Sequence, residues 1–360
     1  MTTGACDRCL ARAWLLARLA PHLERVRNRI EELLALDDGP LLDAVGGRDR
    51  TQIAGELARF DAAEARTRAA AAGIHQMCSC EEHYPAQLLA LDNAPAVLHL
   101  AGRRERLDAV ADQDAVAVVG ARRASQYGLD VARSLAAQLG AAGLPVVSGM
   151  ALGVDSAAHA GALGSGTPTV AVLPGSPERP YPAAKRALYR RIVEHGAAVS
   201  ELPPGTDVWR WMFPARNRII AGLAAMTVVI EAGERSGSLV TARIARELER
   251  PVGAVPGRVT SALAAGPNGL LASGALIVRG AQDVLDHLYG AGIRIAPADS
   301  RPPVEGEQAA LLALIADGAD TPAAMARAGV AVECGLAALA ALELAGYVRR
   351  EAGGRYAIVP

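Results

Sequence analysis

Hydrophobic and polar positions divide the chain into segments of different texture. From residue 11 to about 70, Ala, Leu and Arg recur at three- and four-residue spacing, the period of amphipathic helices. One such unit, "LLDAVGG" (Leu41 to Gly47), closes on a helix-stopping glycine pair. From about 84 to 290 the pattern becomes short β-branched runs separated by helical stretches. The runs are "AVAVV" (115–119), "PVVS" (145–148), "PTVAVL" (168–173), "AAVS" (197–200), "MTVVIEA" (226–232) and "PVGAVP" (251–256). Valine that is continuous rather than alternating suits strands buried on both faces, as in a parallel sheet. Helical segments such as "YGLDVARSLAAQLGAAG" between the runs supply right-handed βαβ crossovers.

The expected fold is therefore α/β. A Rossmann-like, doubly wound, mostly parallel sheet occupies residues 84–290, after an N-terminal helical domain (1–75) of the helix-hairpin-helix or SAM-like kind. Residues 291–304, "AGIRIAPADSRPPV", read as a linker. Residues 305–360 pattern as three amphipathic helices and two short strands around a Gly-Gly turn, the layout of a winged-helix domain.

Composition narrows the function classes. In 360 residues, 51% are hydrophobic and 21% charged, which is globular rather than disordered. The net charge of −1 gives no global attraction to nucleic acid, so such binding needs a local patch. Neither a signal peptide nor an apolar run of membrane-spanning length is visible, so a cytoplasmic protein is expected. The Cys are then thiols or metal ligands rather than disulfides. Cys6 and Cys9 form a CxxC, and Cys78 and Cys80 form a CxC flanked by His75 and His83. Two such pairs suit a structural zinc ion, against the alternative of four unrelated thiols; no other cofactor is expected.

Ligands of a doubly wound sheet lie at the carboxyl ends of its strands. Each loop there is unusual. "VGARRASQYG" (Val119–Gly128) turns at Gly120 and carries Arg122 and Arg123 beside a helix N-terminus, which suits an anion. It is not GxGxxG, and no acidic residue ends the next strand, which disfavours a dinucleotide. "SGMALGVDSAAH" adds Ser148 and Gly149; Asp155 or Ser156 there reads as a helix cap and His159 as a packed side chain. "PGSPERPYPAAKRALYRR" supplies Tyr181 and Lys185. "FPARNR" carries Phe213, Arg216, Asn217 and Arg218, with Trp209 and Trp211 just upstream and either arginine free to take a phosphate. "EAGERSGSLVTAR" puts Ser236, Gly237 and Ser238 at a helix start. No Walker A motif and no Ser/His/Asp or paired-carboxylate arrangement stands out, so no catalytic residue is assigned. The set suits a polyanion with flat bases: phosphates on Arg and amides, bases on aromatic rings.

The ordered run "VVGARRASQYG … VVSGMALGVDSAAHAGAL … TVAVLPGSPERPYP … SELPPG … FPARNRIIAGLA … VVIEAGERSGSLVTARIARELERPVGAVPG … GPNGLLASGA" closely resembles the DprA/Smf family of DNA-processing proteins of bacterial transformation, over roughly Tyr84 to Leu288. That resemblance implies a protein without catalytic turnover that binds and protects incoming single-stranded DNA, dimerises and loads the recombinase RecA. The family's Gly-Ser/Thr-Arg turn falls on Gly120, Ala121 and Arg122, with its hydroxyl lost. Its Phe-Pro-x-Arg-Asn motif is intact at Phe213, Pro214, Arg216 and Asn217, and its basic residue after Tyr-Pro resembles Lys185. Two rival readings differ in class. Phosphoribohydrolases on a related fold resemble a PGGxGTxxE signature, which "EAGERSGSLVTAR" does not reproduce. A duplex-binding regulator would want Arg or Lys on its recognition helix, whereas "VECGLAALAALELAG" is nearly uncharged.

Overall fold

The six valine-rich runs are all strands in the computed structural model, which describes residues 4–296 and 301–360. The described residues up to Ala296 and from Arg301 onward form two compact units. In the first, nine strands among the described residues make one sheet: β1 (Ile74–Cys78), β2 (Val97–Gly102), β3 (Val116–Val119), β4 (Val146–Ser148), β5 (Thr169–Val172), β6 (Ala197–Ser200), β7 (Met226–Val229), β8 (Val252–Ala254) and β9 (Leu276–Ile277). Their spatial order is β1-β2-β6-β5-β4-β3-β7-β8-β9. The run from β6 to β9 is parallel throughout, whereas β1–β2 and β2–β6 pair antiparallel. The fold is thus mixed α/β around a large, mostly parallel sheet.

Strands β3, β4, β5, β6 and β7 are buried at every position, which is why their sequences carry no alternation. Apolar clusters cover both faces. Val116, Val118, Val146 and Val228 pack with Val131, Leu135 and Leu139 of the helix Gln126–Ala141; Ala117, Val147 and Val170 pack with Ile219, Ile220 and Leu223 of the helix Met212–Leu223. Chain order supplies the site. From β3 the chain steps to β4, β5 and β6 on one side, then returns to β7 on the other. A crevice opens at the carboxyl ends where that direction reverses.

Helices between Asp7 and Ala71 precede β1. Their core of Leu15, Leu16, Leu19, Leu23, Leu33 and Leu41 is shared with Trp211, Met212 and Ala215 at the start of the 212–223 helix. In the second unit, helices Gly306–Ala316, Pro322–Arg327 and Val332–Leu344 and the antiparallel hairpin β10 (Val348–Arg350)–β11 (Tyr356–Ile358) enclose Leu311, Ile315, Met325, Leu339, Leu342 and Tyr356. Of the expected linker, residues 297–300 lie outside the described residues. Among the described residues, no helix is long and apolar enough to cross a membrane.

Candidate nucleic-acid interface

At the end of β3 the backbone turns sharply at Gly120. A Cβ there would meet Val154 Cγ2 at 2.7 Å and the Glu231 carbonyl at 2.8 Å, so a larger residue would force the first loop away from β7. The turn is fixed by Ala121 N–H donating to the Glu231 carbonyl (2.6 Å) and Val154 N–H donating to the Ala121 carbonyl (3.2 Å). Arg122 and Arg123 are thereby pushed into solvent. The Arg122 guanidinium carbon lies 4.6 Å from the centre of the Phe213 ring. Tyr181, from the loop after β5, meets the same ring at 5.5 Å between centroids and an interplanar angle of 59°. Phe213 is half-buried, held between a cation and a second aromatic.

Behind this group lies a pocket of about 240 Å³, walled by Gly120, Arg122, Phe213, Asn217 and the turn Ser236–Ser238. Ser236 caps the helix Gly237–Glu247, accepting from Ser238 N–H at 3.4 Å, and the two hydroxyls lie 2.8 Å apart. Amide donors and hydroxyls at the start of an eleven-residue helix favour a negative ligand. Asn217 Nδ2 donates to the Gly237 carbonyl at 3.1 Å and so ties the two helices that wall the pocket.

The expectation that Arg216 or Arg218 offers its guanidinium to a phosphate is not met by this geometry. Arg216 lines the floor of the same pocket but is only 7% exposed, its guanidinium engaged from within the protein. Its Nη1 donates to the Val172 carbonyl at 2.6 Å and to the Gly149 carbonyl, and its Nη2 lies 3.8 Å from Asp155. Burial lowers its pKa to about 10, so it remains charged at neutral pH; burial also pushes Asp155 up, with Arg216 pulling the other way. Arg218 is 3% exposed, paired with Glu201 at 2.6 Å and with Asn93 and the Ala215 carbonyl. Both side chains brace the helix from within. Gly149 has its own reason here: a Cβ would stand 2.2 Å from the Arg216 guanidinium carbon.

The second loop is equally inward. Ser148 is fully buried and donates to the Val118 carbonyl at 2.6 Å. Neither Asp155 nor Ser156 is the expected helix cap, a position taken by Gly153, and Asp155 lies inside the helix Val154–Gly164. It accepts from the amides of Gly149 and Ala151 instead. His159 is buried against Thr169 Oγ1 (2.8 Å), and burial drives its pKa down to about 3, so it is a neutral packing residue as expected. Lys185 ends the short turn Ala183–Lys185 and does not wall the pocket. The tryptophans do not face the crevice either. Trp211 is 1% exposed and donates from Nε1 to the Ala20 carbonyl (3.1 Å), and Trp209 packs on the same N-terminal core.

Three features escaped sequence reasoning. Glu231 at the end of β7 accepts from Ser125 N–H (2.8 Å) and Oγ (2.6 Å), so its carboxylate positions the helix after the first loop. Tyr127, 52% exposed, and Arg258 border a larger cleft of about 700 Å³ beyond Glu231. Arg250 Nη1 donates to the carbonyls of Ala221, Gly222 and Ala224 and closes the end of the 212–223 helix. Only the exposed tyrosine left a sequence signal, as an aromatic among polar residues at the start of the helix Gln126–Ala141.

The family model described as DNA recombination-mediator protein A matches residues 75–289. The chain belongs to this family. Its members among curated proteins include Protein Smf of Escherichia coli, 35% identical over 289 residues, covering 78% of this chain and 76% of that protein. The putative DNA processing protein DprA of Mycobacterium tuberculosis is 47% identical over 210 residues, 58% of this chain and 53% of that protein. The chain thus spans about half the length of the mycobacterial relative. Among solved structures, DNA processing protein A of Streptococcus pneumoniae superposes with a TM-score of 0.63 at 31% identity, covering 78% of this chain and 98% of that one. That of Helicobacter pylori, described for its single-stranded DNA binding mode, reaches 0.54 at 28% identity over 60% of this chain and 95% of its own.

Proposed function

We propose that this family member is a recombination mediator that binds single-stranded DNA across the crevice at the ends of β3 and β7 and acts without catalytic turnover. One observation carries the reading: an exposed arginine and an accessible aromatic ring are stacked at the mouth of a pocket whose back wall is a helix N-terminus. A base takes the face of Phe213 now shared with Arg122. The displaced guanidinium then turns to the adjacent phosphate, and the amide of Gly237 with the hydroxyls of Ser236 and Ser238 faces the next one. Stacking on a ring tolerates any base, so the site reads no sequence. Gly120, Arg122, Arg123, Phe213 and Ser236–Ser238 contact the strand. Ser148, Gly149, Arg216, Asn217 and Arg218 hold the wall in shape, and Lys185 extends the cationic margin.

The single-stranded DNA binding described for the Helicobacter pylori protein and the family's description as a recombination mediator support this reading. The family resemblance also supports a homodimer in the cytoplasm that protects incoming single strands and delivers them to RecA during DNA uptake. The domain layout that accompanies it is a helical domain over 1–75, a Rossmann-like domain over 84–290 and a winged-helix domain over 305–360. The last of these serves interaction or stability, since its helix Val332–Leu344 carries two acidic and no basic residues. The rival enzyme reading would have to draw its carboxylate from Glu231 or Glu234 of "EAGERSGSLVTAR", and that of Glu231 is taken up by Ser125.

The test is anisotropy of labelled oligo(dT) and of a duplex of equal length, titrated at several salt concentrations, with and without RecA. Tighter binding of the single strand and faster RecA filament formation are expected. Equal affinity for both DNA forms would overturn the binding reading, and unchanged RecA kinetics would remove the loading role alone.

A further inference from the structure

The cysteine pairs lie 69 residues or more apart in sequence, yet their four Sγ atoms all fall within 4.8 Å of one another. Cys6 and Cys9 sit at the start of the helix Asp7–Arg18; Cys78 ends β1 and Cys80 follows in the next turn. The Sγ atoms of Cys9 and Cys80 are 3.7 Å apart. A tetrahedral ion with Zn–S bonds of about 2.3 Å requires sulfur–sulfur edges of about 3.8 Å. A disulfide would need about 2.05 Å. A polynuclear iron–sulfur cluster spreads its thiolates over more than one iron and so needs a wider cage. The flanking His75 and His83 are not part of the group.

We propose that Cys6, Cys9, Cys78 and Cys80 hold one zinc ion as a closed tetrathiolate site. Its surroundings already provide what such a site needs. Cys6 N–H points at Cys78 Sγ (3.4 Å) and Arg8 Nη2 at Cys80 Sγ (3.7 Å), donors that offset the negative charge four thiolates leave on the ion. The turn carrying Cys80 is fixed by Ser79 N–H on the Ala96 carbonyl (3.0 Å) and Glu81 N–H on the Cys78 carbonyl (2.9 Å). The opposite pair is held by Arg66, whose Nη2 donates to the Ala5 carbonyl at 2.8 Å. With all four positions filled by sulfur, no site remains for water, so the ion serves architecture. It fastens the N-terminal helices to the antiparallel edge of the sheet. Those helices in turn pack on Trp211 and Met212, at the foot of the 212–223 helix.

Elemental analysis of the full chain, purified without added metal or chelator, reads the site directly. One zinc per chain is expected, released in step with four thiols as a mercurial reagent titrates them. Replacement by Co²⁺ should give intense sulfur-to-cobalt charge-transfer bands and the visible spectrum of a tetrahedral ion. Cys9→Ser and Cys80→Ser should each lose the zinc. If they fail to fold, the stoichiometry and the cobalt spectrum of the unaltered chain still decide the matter. Four free thiols without metal, a Cys9–Cys80 disulfide in peptide mapping, or stoichiometric iron would each overturn the proposal. None of these outcomes bears on DNA binding, which rests on residues of the β3–β7 crevice.

Discussion

The loops after β3 and β4 look alike as sequences and behave in opposite ways. Both are glycine-containing, both precede a helix, and both carry polar side chains. The first fixes its backbone on the Glu231 carbonyl and leaves Arg122 and Arg123 outside. The second turns its polar groups inward: Ser148 to Val118, the amides of Gly149 and Ala151 to Asp155, and the Gly149 carbonyl to Arg216. An amide already bound to a buried carboxylate cannot cradle a phosphate. A glycine-rich turn is thus only a candidate for anion binding, and the tertiary partner of its donors decides.

The contrast is most severely tested at Arg216. Arg216→Ala leaves Asp155 as a buried carboxylate without its cation, a loss of about 3–5 kcal/mol. Urea denaturation should show it as a fall in midpoint, and a variant as stable as the parent would show the second loop to be no brace at all. Acid tests the same interior. Burial lowers His159 to a pKa of about 3 and His99 to about 4, so both stay neutral when folded. Unfolded, each binds a proton below about 6.5. Their contribution to stability is therefore complete above pH 6.5 and declines as pH falls toward the folded values. Between pH 6.5 and 5.5 the two together cost about 2 kcal/mol, since each unfolded imidazole goes from half to nearly fully protonated over that unit. A flat profile over that interval would mean that these side chains are hydrated.

Smaller effects are expected at the outward-facing loop, and on binding rather than folding. Phe213→Ala should weaken oligo(dT) affinity by about 1–3 kcal/mol while leaving the urea midpoint nearly unchanged. Loss of stability without loss of affinity would move Phe213 into the company of Arg216. Arg122→Ala has the mildest expected effect: the slope of log affinity against log salt becomes shallower by about 0.7, the value for one phosphate on a single strand. An unaltered slope would mean that Arg122 serves only to cover the ring.

The sheet was legible because burial on both faces writes itself as uninterrupted valine, and all six runs are strands. The strands β1 and β2 were not, since "IHQMC" and "VLHLAG" carry histidine and no clear period. Their pairing at the antiparallel edge is set by the β1–β2 register and by β6, which are tertiary facts. At the crevice, Gly120 and Arg122 directly follow β3, a relation that chain order already carries, and Phe213 joins them because the helix Met212–Leu223 begins beside that turn. Arg216 and Arg218 could not be oriented from spacing alone. Their directions depend on Asp155 and Glu201, which the fold, rather than chain order, brings beside them.

The 212–223 helix is gripped at both ends, by Trp211 on the N-terminal core and by Arg250 across its last carbonyls. Between those grips Arg216 and Arg218 lock its flank. On the proposed binding mode, a strand arriving at Phe213 would meet a preorganised surface on which one side chain, Arg122, swings. Little backbone entropy is lost on association, so the free energy of stacking is retained as affinity. Capture of a flexible strand should then be limited by diffusion and by the ordering of the DNA itself.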